Sequence, residues 1–175
     1  RFELMGLNSE LQIADAENLP FANESFDAVY SWGVLHHSPA TQNAVNEVFR
    51  VLKPGGFAKI MIYNKFSLVG YMLWIRYALL KGQLFRSLNS IYSEHLESPG
   101  TKAYTYQEAK KLFQNFEIKS IDSPLTHADL LNSEVGQKHR GGYLSMAKKI
   151  WPRWFFRAFM KKSGLFLFVT LIKKS

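Results

Sequence analysis

Phe26-Asp27-Ala28-Val29-Tyr30-Ser31 runs into Trp32-Gly33. Ser38-Pro39 follows, then Val45, Val48, Phe49 and Leu52, and then Phe57-Ala58-Lys59-Ile60-Met61-Ile62-Tyr63. The first run alternates as a strand does, and the spacing of the four apolar residues gives a helix one buried face. Ser38 and Pro39 read as its start, a serine N-cap with proline at the first helical position. Pro54-Gly55-Gly56 stops it, and the short apolar run after it is a buried strand. Strand, helix, strand at this spacing is a crossover unit, which implies a parallel sheet. Crevices in such sheets lie beyond the carboxyl ends of the strands. Asp15-Ala16-Glu17, Ser31-Trp32-Gly33 and Tyr63-Asn64 are the three ends expected to meet there.

Outward from this unit, Leu11 to Ala14 is an apolar run ending in Asp15, and Phe66 to Lys81 is a helical stretch. A polar loop is expected through Ser98-Pro99-Gly100. Thr105-Tyr106-Gln107-Glu108 is a capping box that starts a helix to about Asn115. Glu117 to Asp122 and Leu165 to Ile172 read as strands. The expectation is a single α/β domain over residues 1–175, well packed at 47% hydrophobic and 15% aromatic content. The chain opens on Arg1 with no signal-peptide pattern, which reads as a fragment or a processed chain. Phe66 to Leu80 contains Arg76 and falls short of the roughly 20 apolar residues that a membrane span needs.

There are no cysteines, which excludes disulfides and zinc-thiolate sites and fits a reducing cytoplasm. His95, His127 and Asp129 are isolated, and no metal site is expected from their spacing. The net charge of +8 is one-ended: residues 136–175 hold ten Lys/Arg and no Asp/Glu. Such an excess draws a chain toward an anionic surface. Lys149, Arg153, Arg157 and Lys161 recur every four residues, with Trp151, Phe155 and Phe159 on another side and Trp154 at the boundary. An amphipathic helix over 144–162 would lie peripherally on an anionic membrane. The alternative, which the sequence favours, packs its aromatics on the sheet and leaves a solvated basic face. No nucleic-acid-binding motif accompanies the charge, so nucleic acid is not the expected partner.

Four motifs stand in order: Ala14-Asp15-Ala16-Glu17-Asn18-Leu19-Pro20-Phe21, Ser25-Phe26-Asp27-Ala28-Val29, Gly33-Val34-Leu35-His36-His37, and Glu47-Val48-Phe49-Arg50-Val51-Leu52-Lys53-Pro54-Gly55-Gly56. Together they resemble the class I S-adenosylmethionine-dependent methyltransferases, of the type-11 group that includes quinone methyltransferases. The resemblance is dense over residues 11–64 and looser through Ser98-Pro99-Gly100-Thr101-Lys102 and the last strand. It implies a Rossmann-like α/β fold, a mostly parallel sheet with the last strand antiparallel. On that template the chain begins just before the third strand, so the sheet is incomplete, with its first two strands missing. The glycine-rich turn and the ribose-binding acid are missing with them. The chain as it stands is therefore expected to bind S-adenosylmethionine poorly and to be inactive.

The resemblance also implies site residues. Asp15 matches the position whose carboxylate accepts from the adenine amino group, and Ala16 the one whose backbone N–H meets the ring. Ser31, Trp32 and Gly33 match the turn lining the methionine end. The alternatives are an aspartate that only caps its loop and a tryptophan that only packs. His36 and His37 lie where the methyl would be delivered, and a histidine suits removal of an acceptor proton. Alternatively, one of them bonds the helix start and the other faces water. Tyr63 and Asn64 are candidate acceptor-binding groups. The expected activity is methyl transfer to a small-molecule or lipid-like acceptor, in the cytoplasm or peripherally at the membrane. The rival is a non-catalytic membrane-surface module using helix 144–162.

Overall fold

A computed structural model of the protein describes residues 3–132 and 151–174. In chain order, strand β1 is Phe26–Trp32, helix α1 Thr41–Val51 and strand β2 Leu52–Asn64. Helices α2 (Leu68–Tyr77) and α3 (Leu88–His95) follow, then a two-residue strand β3 (Ala103–Tyr104) and helix α4 (Tyr106–Leu112). Strand β4 is Glu117–Asp122, helix α5 Arg153–Phe159 and strand β5 Phe166–Ile172.

The sheet order is β1-β2-β5-β4, and β3 pairs with the end of β2. β1 and β3 run parallel to β2, whereas β5 is antiparallel to both β2 and β4. Since β5 opposes both neighbours, β2 and β4 point the same way, and only the last strand is reversed. β1 pairs with β2 as far as Trp32↔Met61, and β3 takes over at Tyr63↔Ala103.

Period-two alternation divides the core. Leu167, Val169 and Leu171 of β5 join Ala58, Ile60 and Ile62 of β2 against Val45 and Val48 of α1 and Phe113 after α4. Phe166 and Phe168 turn to the other face, with Met61 and Tyr63, under Leu73 of α2 and Ile91 and Tyr92 of α3. Glycine is required at Gly164: a Cβ there would lie 2.0 Å from the Pro124 carbonyl oxygen.

Several expected boundaries move. Leu11–Ala14 forms no strand, and Leu11 and Ile13 are 79% and 104% exposed. Among the described residues no strand offers that run a ladder. Ser38 does not cap α1; the cap position is Ala40, without a side-chain bond. Glu17 has displaced it, its carboxylate taking both the Ser38 hydroxyl and the Ala40 N–H (2.8 Å to the latter). The polar stretch before Ser98 contains α3, whose cap Ser87 accepts from the Ser90 N–H at 3.2 Å. The capping box at Thr105 and Glu108 forms with both bonds, and β4 has the expected bounds.

Of the helix expected over 144–162, residues 144–150, Lys149 included, lie outside the described residues. Pro152 stands at the N-cap of α5, and no side chain of that helix is buried. Trp154 and Phe159 are 72% and 70% exposed, while Trp151 bonds the Asp129 carbonyl at 3.1 Å. No described helix is long and apolar enough to cross a membrane.

Candidate functional site

The turn after β1 sits beside the end of β2. Gly33 has φ +72°, a left-handed backbone that favours glycine, and its N–H reaches the Met61 carbonyl at 3.4 Å. Trp32 is half exposed, stacks on Tyr30 at 6.2 Å and leans on Phe166 and Phe168 at 5.8 and 5.4 Å. The same Phe166 ring stacks on Tyr63 at 6.0 Å, which links the turn to β2. Ser31 is buried, and its hydroxyl has no protein partner.

A single 3-10 turn, Leu35–His37, carries the two histidines. The His36 ring is wholly buried, 4.2 Å from both the His37 and the Tyr63 rings. Neither of its nitrogens has a hydrogen-bond partner. An unmet buried donor or acceptor costs about 1–3 kcal/mol. Burial, and secondarily the neighbouring His37, pulls the His36 pKa down to about 3, so the ring is neutral near pH 7.

His37 is placed differently. Its Nδ1 lies 3.1 Å from the Ser98 hydroxyl and 3.3 Å from that of Thr101. Thr101 donates its own proton to the Ser98 carbonyl at 2.7 Å, so toward His37 its oxygen accepts. The Ser98 hydroxyl can donate to Nδ1 or accept from it, and Nε2 faces the Glu97 carboxylate at 3.3 Å. At that separation a hydrogen on Nε2, or a cation in its place, bridges the two groups. The Tyr63 hydroxyl bonds Glu97 as well; burial first, and then this carboxylate, pushes the Tyr63 pKa up and keeps it a donor.

His36, His37 and Tyr63, expected near one another, thus come together with Trp32 alongside. Asn64 does not join them as a ligand group. It is buried, its amide donates to the Ser123 hydroxyl and the Gly164 carbonyl at 3.0 Å each, and its oxygen accepts from the Phe66 N–H at 3.2 Å. Asn64 fastens β2 to the approach of β5. Asp15 is exposed and accepts from the Glu17 N–H at 2.9 Å, and Ala16 packs against the core beside α1. Glu17 ties this turn to Ser38 and Ala40, one residue past His37.

Glu97, Ser98 and Thr101 were absent from the sequence-derived site, although the Ser98–Lys102 run belongs to the looser part of the resemblance. Lys102 locks that run down by donating to the Ser38 and Pro39 carbonyls at 2.8 and 2.6 Å. Beside it opens a groove of about 630 Å³ lined by Lys65, Ser93, Thr101, Lys102, Tyr104 and Glu108, among others.

Comparison with known proteins bears on the fold and on the first third of the chain. Residues 3–60 match the profile of the Methyltransferase domain family. Over 110 residues the chain is 32% identical to a demethylmenaquinone methyltransferase of Desulfitobacterium hafniense (strain Y51), covering 59% of this chain and 43% of that protein. Over 58 residues it is 47% identical to a tRNA (carboxymethyluridine(34)-5-O)-methyltransferase of Arabidopsis thaliana, covering 31% of this chain and 14% of that one. The chain thus spans less than half the length of these curated relatives. A solved SAM-dependent methyltransferase from Thermotoga maritima superposes with a TM-score of 0.58 at 20% identity, over 92% of this chain and 62% of that chain. By its sheet order and the reversal of its last strand the chain has the fold of the class I S-adenosylmethionine-dependent methyltransferases, and over residues 3–60 it carries the profile of their domain, a likeness that implies S-adenosylmethionine as the cofactor.

Proposed function

We propose that the protein transfers a methyl group to a small-molecule or lipid-like acceptor, with the chemistry at the carboxyl ends of β1 and β2. The observation that carries this reading is the grouping of His37, Glu97 and Tyr63 beside the Ser31-Trp32-Gly33 turn. S-adenosylmethionine supplies an electrophilic methyl on a cationic sulfur, and in-line displacement depends above all on alignment. In this reading Asp15 accepts from the adenine amino group, and the Ala16 N–H meets the ring. Ser31, Trp32 and Gly33 line the methionine end, where the exposed Trp32 face suits a sulfonium.

His37 takes the acceptor proton on Nε2, and Glu97 stabilises the imidazolium that results. His36, neutral and enclosed, holds the position of His37 and Tyr63. Tyr63 orients Glu97, and an acceptor group is met at this cluster. Asn64 supports the strand end from behind.

A quinone-like or lipid-like acceptor is favoured over RNA because the match to the menaquinone enzyme extends over 110 residues, against 58 for the tRNA enzyme. The test is calorimetric titration of S-adenosylmethionine into the natural protein with all gene-encoded flanking sequence. Saturable binding, weakened at least about tenfold by Asp15→Ala, is expected. No heat from a folded protein would overturn the reading.

A second reading concerns location and rests on α5. Trp154, Phe155 and Phe159 are exposed beside Arg157 and Lys161, the composition of a segment that lies at a lipid interface. The protein would be cytoplasmic and peripheral at an anionic membrane, either delivering methyl groups there or acting only as a surface module. Co-sedimentation with phosphatidylserine vesicles tests it. Alanine at Lys149, Arg153, Arg157 and Lys161 should abolish binding, and retention by neutral vesicles alone would contradict it.

A further inference from the structure

We propose that His36, His37 and Glu97 form a binding site for a divalent cation of the zinc type, with one coordination position left open to solvent. One ligand atom from each of the three lies within 4.8 Å of the others. Zinc holds nitrogen and carboxylate ligands at about 2.0–2.2 Å, so tetrahedral neighbours sit a little over 3 Å apart. The His37 Nε2–Glu97 edge, at 3.3 Å, already has that length. Only the His36 ring has to move inward, by at most roughly 1.5 Å on this geometry.

Three further observations point to a cation. His36 is wholly buried with both ring nitrogens unpartnered, although buried polar atoms are nearly always bonded. Ser98 and Thr101 hold the His37 ring through Nδ1, so Nε2 is directed at the cluster and in the Nδ1–H tautomer offers it a lone pair. The Tyr63 hydroxyl bonds Glu97, so the carboxylate ligand has an orienting partner too. Hydroxyl and phenol partners of this kind, present here behind His37 and Glu97, are what metal sites use to hold ligand geometry.

The donor set selects the ion. Two imidazoles and one carboxylate suit zinc and its transition-metal neighbours better than calcium or magnesium, which take mainly oxygen. The Glu97 side chain is 55% exposed and that of His37 28%, so the fourth position faces water. Three protein ligands with an open fourth place resemble a catalytic rather than a structural zinc site. The site does not depend on cofactor binding. Occupancy would engage the Nε2 lone pair that proton transfer uses, so the two roles separate by experiment.

The experiment is titration of the chelator-stripped 175-residue chain with Co²⁺ as a spectroscopic probe, followed by displacement with Zn²⁺. The expected result is one equivalent of Co²⁺ with the intense visible bands of four-coordinate geometry, bleached by Zn²⁺. His37→Ala and Glu97→Gln should each weaken binding at least about tenfold. Both substitutions fall on partly exposed side chains, and circular dichroism confirms that the variants are folded. His36→Phe, which keeps a ring in the cavity, should lose the bands. Absence of saturable bands in the unsubstituted chain overturns the proposal, as does unchanged binding in the folded Glu97→Gln and His37→Ala variants.

Discussion

Arg50 meets Glu47 through two parallel bonds, Nε to Oε1 at 2.8 Å and Nη2 to Oε2 at 2.7 Å, one turn apart on α1. The remaining guanidinium donors go to the loop before β1, reaching the Leu19 and Phe21 carbonyls at 2.9 and 2.7 Å and the Asn23 side chain at 2.9 Å. Glu47 answers by accepting the Leu19 N–H at 2.7 Å. The pair on the helix thus fastens the segment that carries Asp15 and Glu17, which explains in physical terms why the Glu47-to-Gly56 motif accompanies the Ala14-to-Phe21 motif.

Replacing Arg50 by lysine keeps the charge but removes the fork, and an ammonium with three N–H donors cannot serve five acceptor atoms in these directions. Hydrogen exchange read by NMR should show the Leu19 amide of Arg50→Lys exchanging at least about tenfold faster, with β4 and β5 amides unchanged. Equal rates for Leu19 would mean that the clamp does not hold the loop.

Glu17 links the folded state to acid. The Ser38 hydroxyl, then the Ala40 N–H, and more weakly the charge of Lys102, hold its carboxyl below the usual 4.5, while burial opposes them. Because the folded value is the lower one, this stabilisation is complete above pH of about 4.5 and is lost as the carboxylate protonates below it. The urea midpoint should therefore fall less between pH 7 and pH 3.5 in Glu17→Gln than in the unsubstituted protein. Parallel curves would contradict the link.

Tyr92 ties α3 to the end of β2. Its hydroxyl lies 2.8 Å from that of Ser67 and 3.0 and 3.2 Å from the Asn64 and Lys65 carbonyls, all under a fully covered ring. Tyr92→Phe removes the hydroxyl that these groups share and should cost about 1–3 kcal/mol in denaturant unfolding. A change within about 0.3 kcal/mol would show that the network contributes nothing net.

At Gly164 the added Cβ would meet backbone, the Pro124 carbonyl oxygen at 2.0 Å, and backbone cannot swing aside. Gly164→Ala is expected to destabilise by about 3 kcal/mol or more, at the upper end of overpacking costs. It should also move the NMR signal of the Asn64 side-chain amide, which donates to the Gly164 carbonyl. A midpoint and an amide signal both unchanged would refute the close approach.

Local pattern revealed the crossover unit and β4, because alternation and helical spacing there coincide with burial. It did not reveal α3, since Leu88, Ile91 and Tyr92 are set among Ser, Asn and Glu, and eight residues are too few for periodicity to emerge. Ser38-Pro39 looked like a helix start because the capping rule is local; a glutamate 21 residues earlier took the serine. The Leu11–Ala14 run has strand composition, but a strand needs a ladder, and composition cannot report whether one is present. The site divided in the same way. Adjacent His36 and His37 stood out, whereas Glu97, Ser98 and Thr101 reach them only through the placement of the chain after α3.

The position of β5 bears on how the molecule is made. Met61 is hydrogen-bonded in register with Phe168, and Glu117 with Ile172. As the chain leaves the ribosome, β2 and β4 therefore emerge with an empty lane between them, and that lane is filled only when the last strand arrives. Until then that edge of β2 is unpaired and α1 lacks Leu167, Val169 and Leu171 from the cluster it packs in, and nascent chains would depend on a holding chaperone in proportion to that wait.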